Sequence, residues 1–284
     1  MTNYLEPSGE RTEVQTLPSI LAPGVVLLGK YRIEGKLGVG GYGLVLRAHD
    51  DALDREVAIK ILRTDLELDH ENLARFLREA QSVVRLKSEH VVRIHDVGKL
   101  EDGAPYMVME LLHGSDLGTL LEERGRFTVA HAAELVLQAC DALAEAHALG
   151  IVHRDIKPSN LFVTRRSDES ELVKVLDFGI SKSPTFEGQM SLTQTASVLG
   201  TPSYMSPEQM RSARTVDART DIWSLGVMLY ELVEGHLPFE AENFAEQVVL
   251  VSTKPYQPMV EGAQLTSMVR EDRRELVRPL QFRI

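Results

Sequence analysis

A single cysteine, Cys140, excludes an internal disulfide, and a reducing, cytoplasmic setting is the simplest expectation for such a chain. Cys140 falls in an apolar helical stretch, where a free thiol is normally inert core. No run of about 18 apolar residues is present, so nothing in the chain is expected to span a bilayer. The N-terminus lacks the basic-then-apolar pattern of a secretory signal. Excess positive charge is also missing: 31 Lys and Arg stand against 42 Asp and Glu, a formal net charge of −11. That balance argues against a general affinity for nucleic acid or anionic membrane, although not against a local basic pocket for phosphate. Internal repeats are absent as well.

What is present is ordinary for a water-soluble globular chain: 43% hydrophobic and 26% charged residues over 284 positions. This length suits one large domain, or two lobes sharing one site. Residues 1–28 mix Pro, Ser, Thr, Gly and Glu without periodicity and are expected to form a flexible tail. Residues 29–109 are strand-rich. Tyr31 to Leu37, Gly43 to His49 and Arg55 to Leu62 alternate as strands joined by Gly- and Asp-rich turns. Asn72 to Leu86 has helical spacing, with Leu73, Phe76, Leu77, Ala80 and Val84 on one side. Short strands follow near Val91 to Lys99 and Pro105 to Glu110.

The pattern then changes. Glu110 to Gly114 is a linker, and Val129 to Leu149 is a long amphipathic helix ended by Gly150. Leu161 to Val163 and Leu172 to Leu176 are short strands around a polar loop. Ile222 to Val233 is an apolar helix expected to be buried. The expected fold is therefore α+β and two-lobed: a small antiparallel β lobe with one key helix (29–109), a larger mainly helical lobe (110–251), and a divergent C-terminal segment (252–284). A cleft between lobes is a common place for a ligand.

Four clusters carry chemistry. Gly38, Gly40 and Gly43 lie in a G-x-G-x-x-G-x-V stretch ending at Val45. Alone this is weak, since a Rossmann unit also has a glycine triplet, but there a helix follows the glycines. Here Leu44 to Ala48 reads as a strand, which favours a glycine-rich hairpin able to bring backbone N–H groups close to phosphate. Lys60 ends the apolar strand Val57-Ala58-Ile59-Lys60 and would face a cleft. Glu79, in the helix that follows, could pair with it and aim it at phosphates; by itself Glu79 would be a surface charge. His153-Arg154-Asp155-Ile156-Lys157-Pro158-Ser159-Asn160 is far more specific, placing a carboxylate, a cation and an amide in one loop. Asp155 can accept a hydrogen bond from an attacking hydroxyl, Lys157 can neutralise moving phosphate charge, and Asn160 can hold a metal ion. Asp177-Phe178-Gly179 adds a second metal ligand, and Mg²⁺ suits such hard oxygen donors.

In this order and spacing, these motifs resemble the eukaryotic-like serine/threonine protein kinases, especially their bacterial Hanks-type members, over roughly Tyr31 to Val251. The resemblance implies ATP and Mg²⁺ as cofactors, with Ser- or Thr-bearing proteins as substrates. It implies adenine contacts from Leu37, Val45, Ala58, Met109 and Phe162, backbone groups of Glu110 and Leu112 at the adenine edge, and Asp116 near the ribose. Val83, Ile94, His153 and Phe178 fall where the family stacks an apolar spine, which makes His153 structural. Asp221 matches the aspartate that braces the catalytic loop. Lys157 and Thr201 resemble the serine/threonine branch. Thr193 and Thr195 resemble autophosphorylated positions whose phosphate would meet Arg154, a reaction that would bring two copies together transiently.

Two rivals stand beside this reading: a pseudokinase or scaffold that binds ATP with little turnover, and a dinucleotide-binding oxidoreductase built on the glycine triplet. The first conflicts with a complete set of motif residues. The second leaves every motif after the glycines unexplained. One departure remains. Glu208, in Ser206-Pro207-Glu208, is expected to be buried against an arginine from the final helices, yet no clear arginine equivalent follows; Arg273, Arg274 and Arg278 are the substitutes at hand. An under-supported helical lobe is the expectation.

Overall fold

Alternation explains the first lobe. In the computed structural model, which describes residues 21–40, 43–62, 80, 82–178, 202–212, 216–255 and 258–259, six antiparallel strands form one sheet. They are β1 (Val26–Leu27), β2 (Tyr31–Gly40), β3 (Gly43–Asp50), β4 (Arg55–Leu62), β5 (Ile94–Lys99) and β6 (Pro105–Glu110), in the order β1-β2-β3-β4-β6-β5. Side chains on a strand point alternately to the two faces. Val45 is opposite Lys60, Lys60 opposite Met107, and Ala58 opposite Met109, so these residues share one face. Leu46, Ile59 and Val108 share the other, where they join Tyr31, Ile33 and Tyr106 in a core of their own. Burying each such side chain contributes about 1.5–3 kcal/mol. The face that carries Lys60 therefore looks away from this core, and Leu62 and Met107 on it pack into the core of the second lobe.

The second lobe contains β7 (Ser115–Asp116), α1 (Leu117–Arg124), α2 (Val129–Ala148), β8 (Leu161–Arg165), β9 (Glu171–Val175), α3 (Pro207–Arg211), α4 (Arg219–Glu234) and α5 (Phe244–Thr253). β7, β8 and β9 form a small antiparallel sheet. Each of four helices starts on a side chain that satisfies an otherwise unpaired N–H: Asp116 for α1, Thr128 for α2, Ser206 for α3 and Asn243 for α5. α2 turns Leu135, Ala139, Ala142, Leu143 and Ala146 into the core, and α4 contributes Leu225, Met228 and Leu232. Ties between the lobes include Val92 N–H donating to the Val175 carbonyl at 3.1 Å, Val175 N–H to the His90 carbonyl at 2.8 Å, and Ser88 N–H to the Glu145 carboxylate at 2.7 Å. Among the described residues no helix is long and apolar enough to cross a membrane.

The structure moves several expected boundaries. The tail assigned to residues 1–28 ends earlier, because β1 pairs Val26 with Arg32 and Leu21 is buried against the sheet; two residues are too short a strand to show a periodic pattern. β2 continues through Gly40, and a register shift between Lys36 and Gly38 leaves Leu37 half exposed. The strand expected from Val91 starts at Ile94. α4 starts at Arg219, and Ile222 on it is 50% exposed rather than buried. Most of the helix expected over 72–86 lies outside the described residues, although Ala80 and Val83 are buried in the core. Glu208 is exposed, contrary to expectation. Successive helical residues diverge by about 100°, and α3 turns its neighbour Gln209 inward instead.

Candidate active site

The loop between α2 and β8 is held in a conformation that its sequence would not adopt unaided. Arg154 has φ +65° and Asp177 has φ +50°, left-handed values that cost a non-glycine residue on the order of 1–3 kcal/mol and persist only when the surroundings impose them. For Arg154 the constraint is Asp221, fully buried at the start of α4. One carboxylate oxygen accepts the His153 N–H at 2.8 Å and the other accepts the Arg154 N–H at 2.8 Å. His147 Nε2 lies 2.7 Å from the first of these oxygens. The bracing expected of Asp221 is thus present in the geometry.

His153 is structural, as expected. Its ring packs 4.8 Å from Phe178, its Nε2 lies 2.8 Å from the Leu176 carbonyl, and Phe178 shares the core with Val83 and Ile94. Asp155 emerges from this anchored base with Lys157 Nζ at 3.3 Å from its carboxylate. Asn160 donates from its side-chain nitrogen to the Asp155 backbone carbonyl at 2.7 Å and to the Asp155 carboxylate at 3.1 Å. Both bonds use the amide nitrogen, so the amide oxygen is the atom of Asn160 that could hold a metal ion. The Leu176 N–H donates to the Asn160 carbonyl at 2.9 Å, so the residue preceding Asp177 runs alongside Asn160. Lys60 Nζ lies 2.5 Å from the Asp177 carboxylate. The chain thus gathers Lys60, Asp155, Lys157, Asn160 and Asp177, drawn from β4, the loop between α2 and β8, and the segment just after β9. The donors that could hold a metal are one carboxylate and one amide oxygen. That set fits Mg²⁺, which usually takes one or two protein oxygens and completes its shell with phosphate and water. Among the described residues no larger His, Cys, Asp or Glu cluster suited to a metal exists.

Around this centre, Val45, Ala58 and Met109 share the sheet face that carries Lys60. Gly38 is paired with Val45, and the half-exposed Leu37 precedes it. Gly43 has a packing duty: a Cβ there would collide with the Ile61 carbonyl of β4. Gly114 approaches β8 so closely that its Cβ would meet the Val163 carbonyl, and Phe162 lies beside it. Leu112 is partly buried in the linker. Asp116 spends its carboxylate on Thr119, at 3.0 Å from the N–H and 2.8 Å from the hydroxyl. Glu79, Thr193, Thr195 and Thr201 lie outside the described residues.

Sequence reasoning missed two connections. Lys174, buried in β9, reaches Glu110 at 2.7 Å, and the same carboxylate oxygen accepts the Arg93 N–H at 2.8 Å. A lysine inside an otherwise apolar strand was the available signal. The second is Gln209, whose bonds are described below; an isolated glutamine carries no sequence signal. Tyr204 also donates to Glu231 at 2.5 Å inside the helical lobe. Burial raises the Tyr204 phenol pKa above its ordinary value, and the Glu231 bond adds to this. Burial likewise raises the Glu231 carboxyl, although the Tyr204 bond opposes it.

A carboxyl whose pKa is raised on folding destabilises the fold when charged. That cost is absent below the ordinary value of 4.5 and complete above the raised one. Glu231→Gln is therefore expected to gain stability relative to the native chain as pH rises through that window. Paired urea denaturation curves across pH 4–8 measure the difference, and a gap that does not change with pH would refute this account.

Comparisons with known proteins agree with this geometry. A protein kinase domain model matches residues 31–276, and so runs past Val251, where the resemblance was expected to end. The serine/threonine-protein kinase pkn3 of Myxococcus xanthus is 41% identical over 221 residues, covering 78% of this chain and 40% of pkn3. The serine/threonine-protein kinase PknB of Mycobacterium tuberculosis is 41% identical over 220 residues, covering 76% of this chain and 34% of PknB. The chain thus spans less than half the length of either relative. The crystal structure of the Mycobacterium tuberculosis PknI kinase domain superimposes with a TM-score of 0.62 at 26% identity, covering 78% of this chain and 80% of that one.

Proposed function

Because the chain belongs to the protein kinase family, with a two-lobed fold like that of a solved kinase domain, we propose that it transfers the γ-phosphate of ATP to serine and threonine hydroxyls of proteins. The observation that carries this reading is the clustering of Lys60 on Asp177 and of Lys157 and Asn160 on Asp155, with the residue before Asp177 bonded to Asn160. Phosphoryl transfer demands positioning and charge stabilisation more than covalent help from the enzyme. Lys60 holds the non-transferred phosphates. Asp155 orients the attacking hydroxyl and takes up its proton late in the transfer. Lys157, beside Asp155, neutralises charge on the moving group. Asn160 and Asp177 would hold Mg²⁺, which when bound screens the phosphate oxygens. The pseudokinase alternative has no missing residue among these to support it.

We assign Thr193 and Thr195 as autophosphorylation positions. The Arg154 Nε is buried without a hydrogen-bond partner among the described residues, and an unpaired buried donor of this kind is satisfied by a strong acceptor such as phosphate. One experiment tests both statements. The purified chain is incubated with Mg·ATP and a generic basic protein, and the products are mapped by mass spectrometry. Phosphoserine or phosphothreonine on the substrate, with phosphate on Thr193 or Thr195, is expected. Nucleotide binding without any transfer would favour the pseudokinase.

A further inference from the structure

We propose that Gln209 is a positioning residue for Asp155, clamping the peptide that joins Arg154 to Asp155. The inference rests on the kinase reading and names a residue in that site's support. Each peptide unit is planar, so a residue's conformation is set by the orientations of the two peptides that flank it. At Arg154 the preceding peptide is held through its N–H by Asp221 at 2.8 Å. The following peptide is held through its carbonyl by Gln209 Nε2, also at 2.8 Å. Asp221 thereby restrains φ and Gln209 restrains ψ, and it is ψ of Arg154 that directs the Cα of Asp155.

Gln209 is itself held in one orientation. Its own N–H donates to Ser206 Oγ at 3.2 Å, Ser206 Oγ lies 2.7 Å from Thr220 Oγ1, and the Thr220 hydroxyl donates to Gln209 Oε1 at 3.0 Å. Ser206 and Thr220 are fully buried and Gln209 is nearly so. With the Thr220 hydroxyl donating to Oε1, the Ser206 hydroxyl must donate to Thr220, and the Gln209 amide nitrogen is left to face Arg154. Each hydrogen in the ring has one acceptor. A residue needed only to fill space between α3 and α4 would be apolar, because a buried amide is costly unless fully bonded. Thr220 also precedes Asp221, so both clamps on Arg154 are built from adjacent positions of α4.

The test compares the native chain with Gln209→Glu and Gln209→Met. Gln209→Glu keeps the acceptor for Thr220 but has no N–H for Arg154 at neutral pH. Gln209→Met keeps the approximate volume and removes both bonds. Steady-state kcat and KM, the Kd for Mg·ATP and the melting temperature are measured for all three, with kcat expressed per nucleotide-binding site so that unfolded protein is not counted. Loss of the clamp is expected to lower kcat about tenfold, the worth of one ordinary hydrogen bond. The Mg·ATP Kd should stay within about twofold, since the clamp touches neither Lys60 nor Asp177. Variants that melt earlier but keep native kcat per site would overturn the proposal and leave Gln209 a packing residue. A native chain that transfers no phosphate would overturn both the clamp and the kinase reading, whereas an active native chain with unaffected variants overturns the clamp alone.

Discussion

Asp155→Asn is expected to lower kcat about a hundredfold or more while Mg·ATP still binds, in line with the usual contribution of a general base. The asparagine side chain is nearly isosteric, so the loop stays in place: its anchors are Asp221 on the backbone of His153 and Arg154, and Asn160 on the Asp155 carbonyl. What disappears is the carboxylate proposed to accept the substrate hydroxyl's hydrogen bond and carry its proton. It is also the group facing Lys157 at 3.3 Å. Single-turnover phosphorylation combined with a nucleotide-binding titration separates the two effects. Activity within a few-fold of native would remove Asp155 from the base's role, and a parallel loss of nucleotide affinity would make it a structural residue.

Asp221→Ala is expected to cost on the order of 3–5 kcal/mol of stability together with nearly all activity. Asp221 is completely buried and serves the His153 N–H, the Arg154 N–H and His147. Truncation leaves these groups without their acceptor, and each buried unsatisfied donor costs about 1–3 kcal/mol. It also releases a left-handed Arg154 whose strain has no local compensation. Out of the roughly 5–15 kcal/mol that holds a domain together, this is a large share. Asp221→Asn, which retains one acceptor oxygen, should lose less. Denaturant melts of both variants measure the effect. A change below about 1 kcal/mol in Asp221→Ala would mean that the loop is shaped by something other than this carboxylate.

The match between expectation and structure differs by element for physical reasons. Arg55–Leu62 and Pro105–Glu110 were placed to the residue, because alternation of apolar positions and flanking turn residues both act locally. α2 was placed within one residue for the same reason, with Thr128 capping its start. That Val45, Ala58 and Met109 share the face of Lys60 follows from strand register, whereas the adenine contacts expected of them came from family resemblance. Glu208 was not: its expected burial came from family resemblance, and whether a residue in the first turn of a short helix faces in or out depends on the angle at which that helix docks. Lys174 with Glu110, and Gln209 with Arg154, were invisible because each pair joins residues more than fifty positions apart.

By itself the sequence determined the kinds of group available and their order along the chain: a glycine hairpin, a lysine at the end of an apolar strand, and a loop with a carboxylate, an ammonium and an amide within six positions. Chemistry of that kind is carried by residue identity and close spacing, which folding does not alter. Only the tertiary structure decided how those groups are held. The left-handed backbone at Arg154 and Asp177, the three-way grip of Asp221 and the Ser206–Gln209–Thr220 ring come from distant segments brought together in the packed interior. There water is excluded, and a buried polar group is tolerated only when it finds a partner.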